Sequence, residues 1–176
     1  MIEGTLVNLR APEMGDLERN TRWINDREVT RFLSVRYELS SAAEEGWLRE
    51  LASKPMSYER PFFAIATKDD VHIGNVNLFA VVPEDRKCEL GIMIGEKAYW
   101  SQGYGTDALR TIVRFAFEEM NLNRVQLHVF AYNDRAFAAY RKAGFVEEGR
   151  RRQAHYADGA YHDAIVMSVL RDEWQP

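Results

Sequence analysis

The 176-residue chain has a single cysteine, Cys88, which excludes an internal disulfide and fits a reducing compartment. No apolar run reaches the length of a membrane span, and the opening MIEGTLVNLR lacks the apolar centre of a secretory signal. The expected location is the cytoplasm, with no membrane partner. Positive charge is not in excess either: 23 Lys and Arg against 27 Asp and Glu leave a net charge of −4. That balance gives no general affinity for DNA and would not repel a cationic amine. His72, His128, His155 and His162 show no metal-ligand spacing, so no metal site is expected. Linkers, repeats and low-complexity stretches are missing as well. The whole of 1–176 is therefore expected to be one domain around one core.

Patterning gives the order of elements. GTLVNLRAP reads as a strand closed by Pro12, and PEMGDLERNTRWIND as a helix with Leu17, Thr21 and Ile24 on its inner stripe. LSSAAEEGWLRELAS reads as a second helix, with Ser40 or Ser41 as cap and Glu44 or Glu45 at capping-box distance. PFFAIAT and VHIGNVNLFAVV make a hairpin, and RKCELGIMIG adds a third strand. A helix over 103–120 then presents Leu109, Ile112, Val113, Ala116 and Met120 as one stripe. RVQLHVF alternates as a strand, DRAFAAYRKAG is a short helix ended by Gly144, and the chain closes as a hairpin around Asp158-Gly159. Strand, helix and strand over 88–130 form a βαβ unit, so those strands should be parallel. The expected fold is α/β (α+β): a mixed sheet of about seven strands with helices on both faces. Its ligand site should lie beyond the carboxyl ends of the parallel strands.

At that position stands WSQGYGTDALR. Helix-start amides have no intrahelical partner, and glycines let an anion approach them, so Gly103-x-Gly105 suits a phosphate. It equally suits a tight turn that packs helix on strand. A P-loop is excluded, because no Gly-Lys-Ser/Thr follows. A dinucleotide fingerprint fits poorly: Gly95 to Gln102 separate Ile94 from Gly103, and no acidic residue follows at the ribose position about twenty residues on.

Two stretches carry a family resemblance. WSQGYG resembles the Q/R-x-x-G-x-G/A loop of the GNAT superfamily of acyl-CoA-dependent N-acyltransferases, with Trp100 in place of the usual Gln or Arg. VFAYNDRAFAAYRKAGF resembles that family's N-x-x-(A/S)-x-x-x-Y-x-K-x-G-F segment, with Asn133, Tyr140, Lys142, Gly144 and Phe145 in register. The two ends of the chain look like the RimJ/RimL-type branch, to which spermidine and ribosomal-protein N-terminal acetyltransferases belong. The resemblance implies a single GNAT-type domain whose two parallel strands splay apart. It implies that acetyl-CoA lays its pyrophosphate on the main-chain amides of Ser101, Gln102, Gly103, Tyr104, Gly105 and Thr106. The pantetheine arm would run along Ile92, Met93 and Ile94, with Asn133 reaching it from the second strand and Arg135 near the 3′-phosphate. Asn133 also reads as the cap of DRAFAAYRKAG, and the two readings are compatible, because the Asn133 amide can serve a ligand while Asp134 caps. A homodimer is a further family-level expectation.

Acetylating an amine at neutral pH requires a neutral nucleophile. A lysine-like amine is neutral in about one molecule in a thousand, a cost of roughly 4 kcal/mol, so a base is valuable. Glu89 resembles the family's strand glutamate; alternation sets it with Gly91 and Met93, opposite Cys88, Leu90, Ile92 and Ile94. It reads either as the base or as a solvated edge charge beside Arg86 and Lys87. Tyr140 matches the tyrosine that assists the leaving thiolate, or is a core residue at helical spacing from Phe137. The carbonyl-polarising amide would belong to Met93 or Ile94. Cys88 reads as packing. Trp23, Trp47 and Tyr37 wall an acceptor pocket or belong to the core, and Arg150 to Arg152 form a solvated strand or an anion site. The function implied is transfer of acetyl to a primary amine in a ternary complex. The acceptor would be a small cationic amine or polyamine, an aminosugar, an amino-acid-like antibiotic or a protein N-terminus. A non-catalytic acyl-CoA-binding regulatory module is the alternative.

Overall fold

Strand, helix and strand follow one another through β5 (Lys87–Ile94), α4 (Tyr104–Glu118) and β6 (Arg124–Phe130). These two strands are parallel in the computed structural model, which describes residues 1–175. Before them come β1 (Ile2–Glu3), β2 (Val7–Arg10), α1 (Leu17–Ile24), α2 (Arg27–Thr30), α3 (Ser41–Ser53), β3 (Phe62–Thr67) and β4 (His72–Val82). After them come α5 (Asp134–Lys142), β7 (Val146–Ala157) and β8 (Ala160–Leu170). The sheet runs β1-β2-β3-β4-β5-β6-β8-β7, with every other neighbouring pair antiparallel. It has eight strands where the pattern suggested about seven. The addition is β1, too short to show periodicity, which folds back on β2 through Ile2↔Leu9.

One face of the sheet carries α4. Its Leu109, Ile112, Val113, Ala116 and the following Met120 are buried together with Leu78, Leu90, Val125 and Leu127. Each large side chain so buried contributes about 1.5–3 kcal/mol, an upper figure because unfolded chains already hide some surface. Glycine serves the chain's turns where it must: Gly144 ends α5 at φ 96°, and Asp158 (50°) with Gly159 (80°) makes the last hairpin turn.

The opposite face carries the N-terminal helices, and there the sequence reading needs correction. The buried side of α1 and the turn before it is Asp16, Asn20 and Trp23, whereas Leu17, Thr21 and Ile24 are only half-buried. Polar groups turn inward because Arg10, His72 and Asn75 hydrogen-bond or approach them. The helix also stops at Ile24, and Asp26 caps a separate α2 by accepting from the Glu28 amide at 2.9 Å. In α3 the cap is Ser40, whose Oγ accepts from Ala43 N at 3.1 Å. Glu44 does not close a capping box; it is buried beside Leu48 on the inner side.

Candidate active site

The two parallel strands pair only at Lys87↔Arg124, Cys88↔Val125 and Glu89↔Gln126. Beyond that, β5 stays with β4 as far as Gly74↔Ile94, and β6 stays with β8 as far as Phe130↔Ala164. Each strand keeps its outer neighbour, so a gap opens between them. Gly95 N donates to Ile73 O at 2.9 Å. Main-chain groups alternate in direction along a strand, so Met93 turns toward β4 while Ile92 and Ile94 turn toward the gap. In agreement, Ile94 O accepts from the Trp100 indole Nε1 at 2.7 Å.

The gap runs into the glycine loop. Gly103 holds φ 92° as the N-cap of α4, a left-handed conformation that a side chain would strain, and no side chain caps the helix. Among the described residues, the amides from Ser101 to Thr106 have no hydrogen-bond partner. At Gly105 an added Cβ would meet only Ile94 Cγ1, at an ordinary 3.6 Å, so no protein atom demands glycine there. Asp107, one turn on, accepts from the amides of Thr5, Leu6 and Val7 at 3.2, 2.7 and 3.0 Å and ties the loop after β1 to the start of α4. Sequence reasoning missed this clamp, since its partners are main-chain groups with no residue signature. The Gln102 side chain folds back onto Ala98 O.

Loop and gap together make a cavity of about 990 Å³, lined among others by Ile94, Trp100, Gly103, Asn133, Arg135 and Tyr140. The guanidinium carbon of Arg135 sits over the Trp100 ring, 3.6 Å from its centroid. Asn133 is itself the cap of α5, accepting from Ala136 N at 3.2 Å; Asp134 is the first helical residue. The cap thus uses Asn133 Oδ1, and among the described residues its Nδ2 has no hydrogen-bond partner. Tyr140 is buried on the cavity wall, and desolvation pushes its phenol up to about 12.

Glu89 stands apart from these groups. It lines neither this cavity nor the one described next. Its Oε1 accepts from Gln126 Nε2 at 3.2 Å, and its Oε2 lies 3.6 Å from His128 Nδ1. Burial and the charge of Arg151 hold His128 below its ordinary range, and its Nε2 is buried without a partner. Cys88 is buried, with its thiol pushed up to about 12 by desolvation, and packs in the core. Arg150 to Arg152 lie exposed on β7, with Arg150 Nε 3.2 Å from Glu147 Oε1.

A second cavity, of about 510 Å³, lies under α1 and α3 and shares Leu33, Ile92 and Met93 with the first. Trp47 walls it, edge-on to Phe62. Trp23 is core: it packs on His72, and a side chain at Gly95 would overlap its ring. Tyr37 is largely exposed and lines neither cavity. Glu44 is the cavity's one charged lining residue; it is 6% exposed, and desolvation raises its pKa. Among the described residues, its carboxylate takes part in no hydrogen bond or ion pair.

Beside it ends a buried polar chain. Arg10 grips both oxygens of Asp16 at 2.9 and 2.8 Å. Burial opposes ionisation of Asp16, but hydrogen bonds from Arg10 and the Glu13 amide outweigh it and hold the carboxyl below its usual range. His72 Nδ1 approaches Asp16 Oδ1 at 3.2 Å without the alignment of a hydrogen bond. Its Nε2 faces Gly74 O at 2.9 Å and Asn75 Oδ1 at 3.0 Å. A main-chain carbonyl only accepts, so Nε2 carries the hydrogen and Asn75 presents oxygen. Asn75 Nδ2 then donates to Asn20 Oδ1 at 2.9 Å, and Asn20 Nδ2 is left unpartnered.

The acetyltransferase (GNAT) domain family matches residues 7–146. The chain belongs to the GNAT family. It is an acetyl-CoA-dependent N-acetyltransferase, and the binding-module reading has nothing in its favour. A stretch of 102 residues is 35% identical to the "Putative ribosomal N-acetyltransferase YdaF" of Bacillus subtilis (strain 168), covering 58% of this chain and 55% of that protein. The spermidine N(1)-acetyltransferase of Vibrio cholerae serotype O1 is 27% identical over 169 residues, 96% of this chain and 95% of that one. The crystal structure of Vibrio cholerae spermidine N-acetyltransferase in complex with CoA and spermine superposes with a TM-score of 0.84 at 25% identity. That superposition covers 96% of this chain and 97% of that one. Among the described residues of this GNAT enzyme, no His, Cys, Asp and Glu cluster could hold a metal, and no helix is long and apolar enough to cross a membrane.

Proposed function

We propose that the whole chain acts as one catalytic domain, passing acetyl directly from acetyl-CoA to an amine while both are bound. The observation that carries this reading is the opened edge of β5. The Ile92 main chain and the Ile94 amide, left unpaired by β6, continue into the free amides of Ser101 to Thr106, a track suited to an amide-bearing arm that ends in a diphosphate. Room beside Gly105 lets a phosphate approach the helix start. Arg135, over the Trp100 ring, sets a cation beside the loop at which Trp100 replaces the family's usual Gln or Arg. Asn133 Nδ2 reaches the arm from the start of α5, just beyond β6.

The reacting carbonyl then lies near Ile92 to Ile94, where the two cavities share their lining. Ile94 suits the polarising amide better than Met93, whose main chain turns toward β4. Tyr140 donates a hydrogen bond to the leaving sulfur. Full proton transfer from a phenol raised to about 12 would be uphill against a thiolate of conjugate-acid pKa near 8.5, so hydrogen bonding is the workable role. Glu89, tied to Gln126 and His128, braces the point where the strands part. Tyr140→Phe tests the assignment: steady-state assays should show kcat falling about 100-fold, with acetyl-CoA affinity by calorimetry unchanged. An unchanged kcat would make Tyr140 structural.

A further inference from the structure

Resting on that placement of the donor, we propose that the second cavity selects an acceptor with one positive charge on an apolar body, and that Glu44 receives its ammonium. A carboxylate on a residue this sheltered is ordinarily paired, because drawing a charge part-way out of water is costly, and the Glu44 oxygens keep their open surface toward the cavity. Among the described residues Glu44 has no cation and no donor, and it lies where an amine must enter to meet a thioester at Ile92 and Met93. An incoming ammonium completes it.

The rest of the lining narrows the class. Ile24, Leu33, Leu39, Trp47 and Phe62 offer apolar wall and no second acid. A polyamine brings two or three ammonium groups, and each one beyond the first would lose water here without gaining a partner. Asn20 adds a further demand. The direction of hydrogen bonding from Gly74 O through His72 and Asn75 is fixed, so Asn20 Nδ2 is a spare donor, buried just behind the cavity wall, that a turn of its side chain would present. It suits an oxygen acceptor near the amine, as in an aminoacyl group. In the reaction Glu44 takes one proton from the ammonium. The nitrogen lone pair forms the N–C bond, the C–S bond breaks with its electrons going to sulfur, and the second nitrogen proton ends on the thiolate.

The test measures CoA release with phenylalaninamide, phenethylamine, a hexapeptide beginning with phenylalanine, and spermidine. Phenylalaninamide or the peptide should exceed spermidine in kcat/KM by about 100-fold; which of the two leads tells a free metabolite from a chain terminus. Phenethylamine, lacking the carbonyl, should trail phenylalaninamide about tenfold, and Asn20→Ala should erase that gap through KM. Glu44→Gln should lower kcat/KM for the preferred amine about 100-fold while thermal melting shows no loss of stability, since a costly buried charge has gone. Spermidine turned over ahead of the others overturns the proposal and leaves acetyl transfer standing. Failure of acetyl-CoA to bind at all overturns the donor placement as well.

Discussion

On the proposed reading, the two sides of the sheet recognise their ligands by different means. The donor side, from β5 through α5, offers main-chain groups: the edge of Ile92 and Ile94 and the amides of the glycine loop. The acceptor side, under α1 and α3, offers side chains held by other side chains, ending in Asn20 and Glu44. Main-chain recognition constrains sequence only where a Cβ would intrude or φ turns positive, so it leaves a short glycine signature and tolerates change elsewhere. Side-chain recognition can be rewritten one residue at a time. A superfamily with one donor and many acceptors is well served by that division.

The sharpest way to break the comparison is to cut the acceptor-side chain at its root. Arg10→Met leaves Asp16 buried without its cation and should cost about 3–5 kcal/mol in urea unfolding. If the two sides are independent, the folded fraction will still bind acetyl-CoA with unchanged affinity. Gly105→Asp asks the reverse. An acid in the first turn of α4 favours the helix dipole, so melting should hold or rise. Acetyl-CoA affinity should fall about 100-fold, because a carboxylate then competes with the diphosphate for the same amides. The smallest effect belongs to neither side. The Arg124 guanidinium holds Glu148 down to about 2, so this pair stabilises the fold above the ordinary value near 4.5 and loses its contribution as pH falls toward 2. With 39% of the Glu148 side chain exposed, screening keeps the pair below about 1 kcal/mol. Thermal melts of Glu148→Gln and the parent should therefore converge at the acid end of that window.

What the sequence revealed follows the same line. The stripe of α4, the alternation of β6 and the parallel pair were legible because burial there is apolar and periodic. The cleft was legible through Gly103, Gly105 and the Asn133–Phe145 segment. The register of α1 was not. Its inner residues include Asp16 and Asn20, which look exposed until Arg10, His72 and Asn75, distant in sequence, are folded against them. Glu44 was half legible: it lies four residues before Leu48 and so on the same helical face, but its charge argued for solvent. Asp107 could not have been found, because Thr5, Leu6 and Val7 meet it with main-chain amides that any sequence possesses.

That clamp also bears on the order of folding. Asp107 and its three amide donors are separated by 100 to 102 positions. Contacts between such distant positions carry the entropy of closing a long loop and form late. During synthesis the first residues leave the ribosome long before their carboxylate exists. The glycine loop therefore takes its final shape only when both ends of that long stretch have met, and, if it is the proposed diphosphate cradle, the enzyme cannot hold its donor before most of its chain is in place.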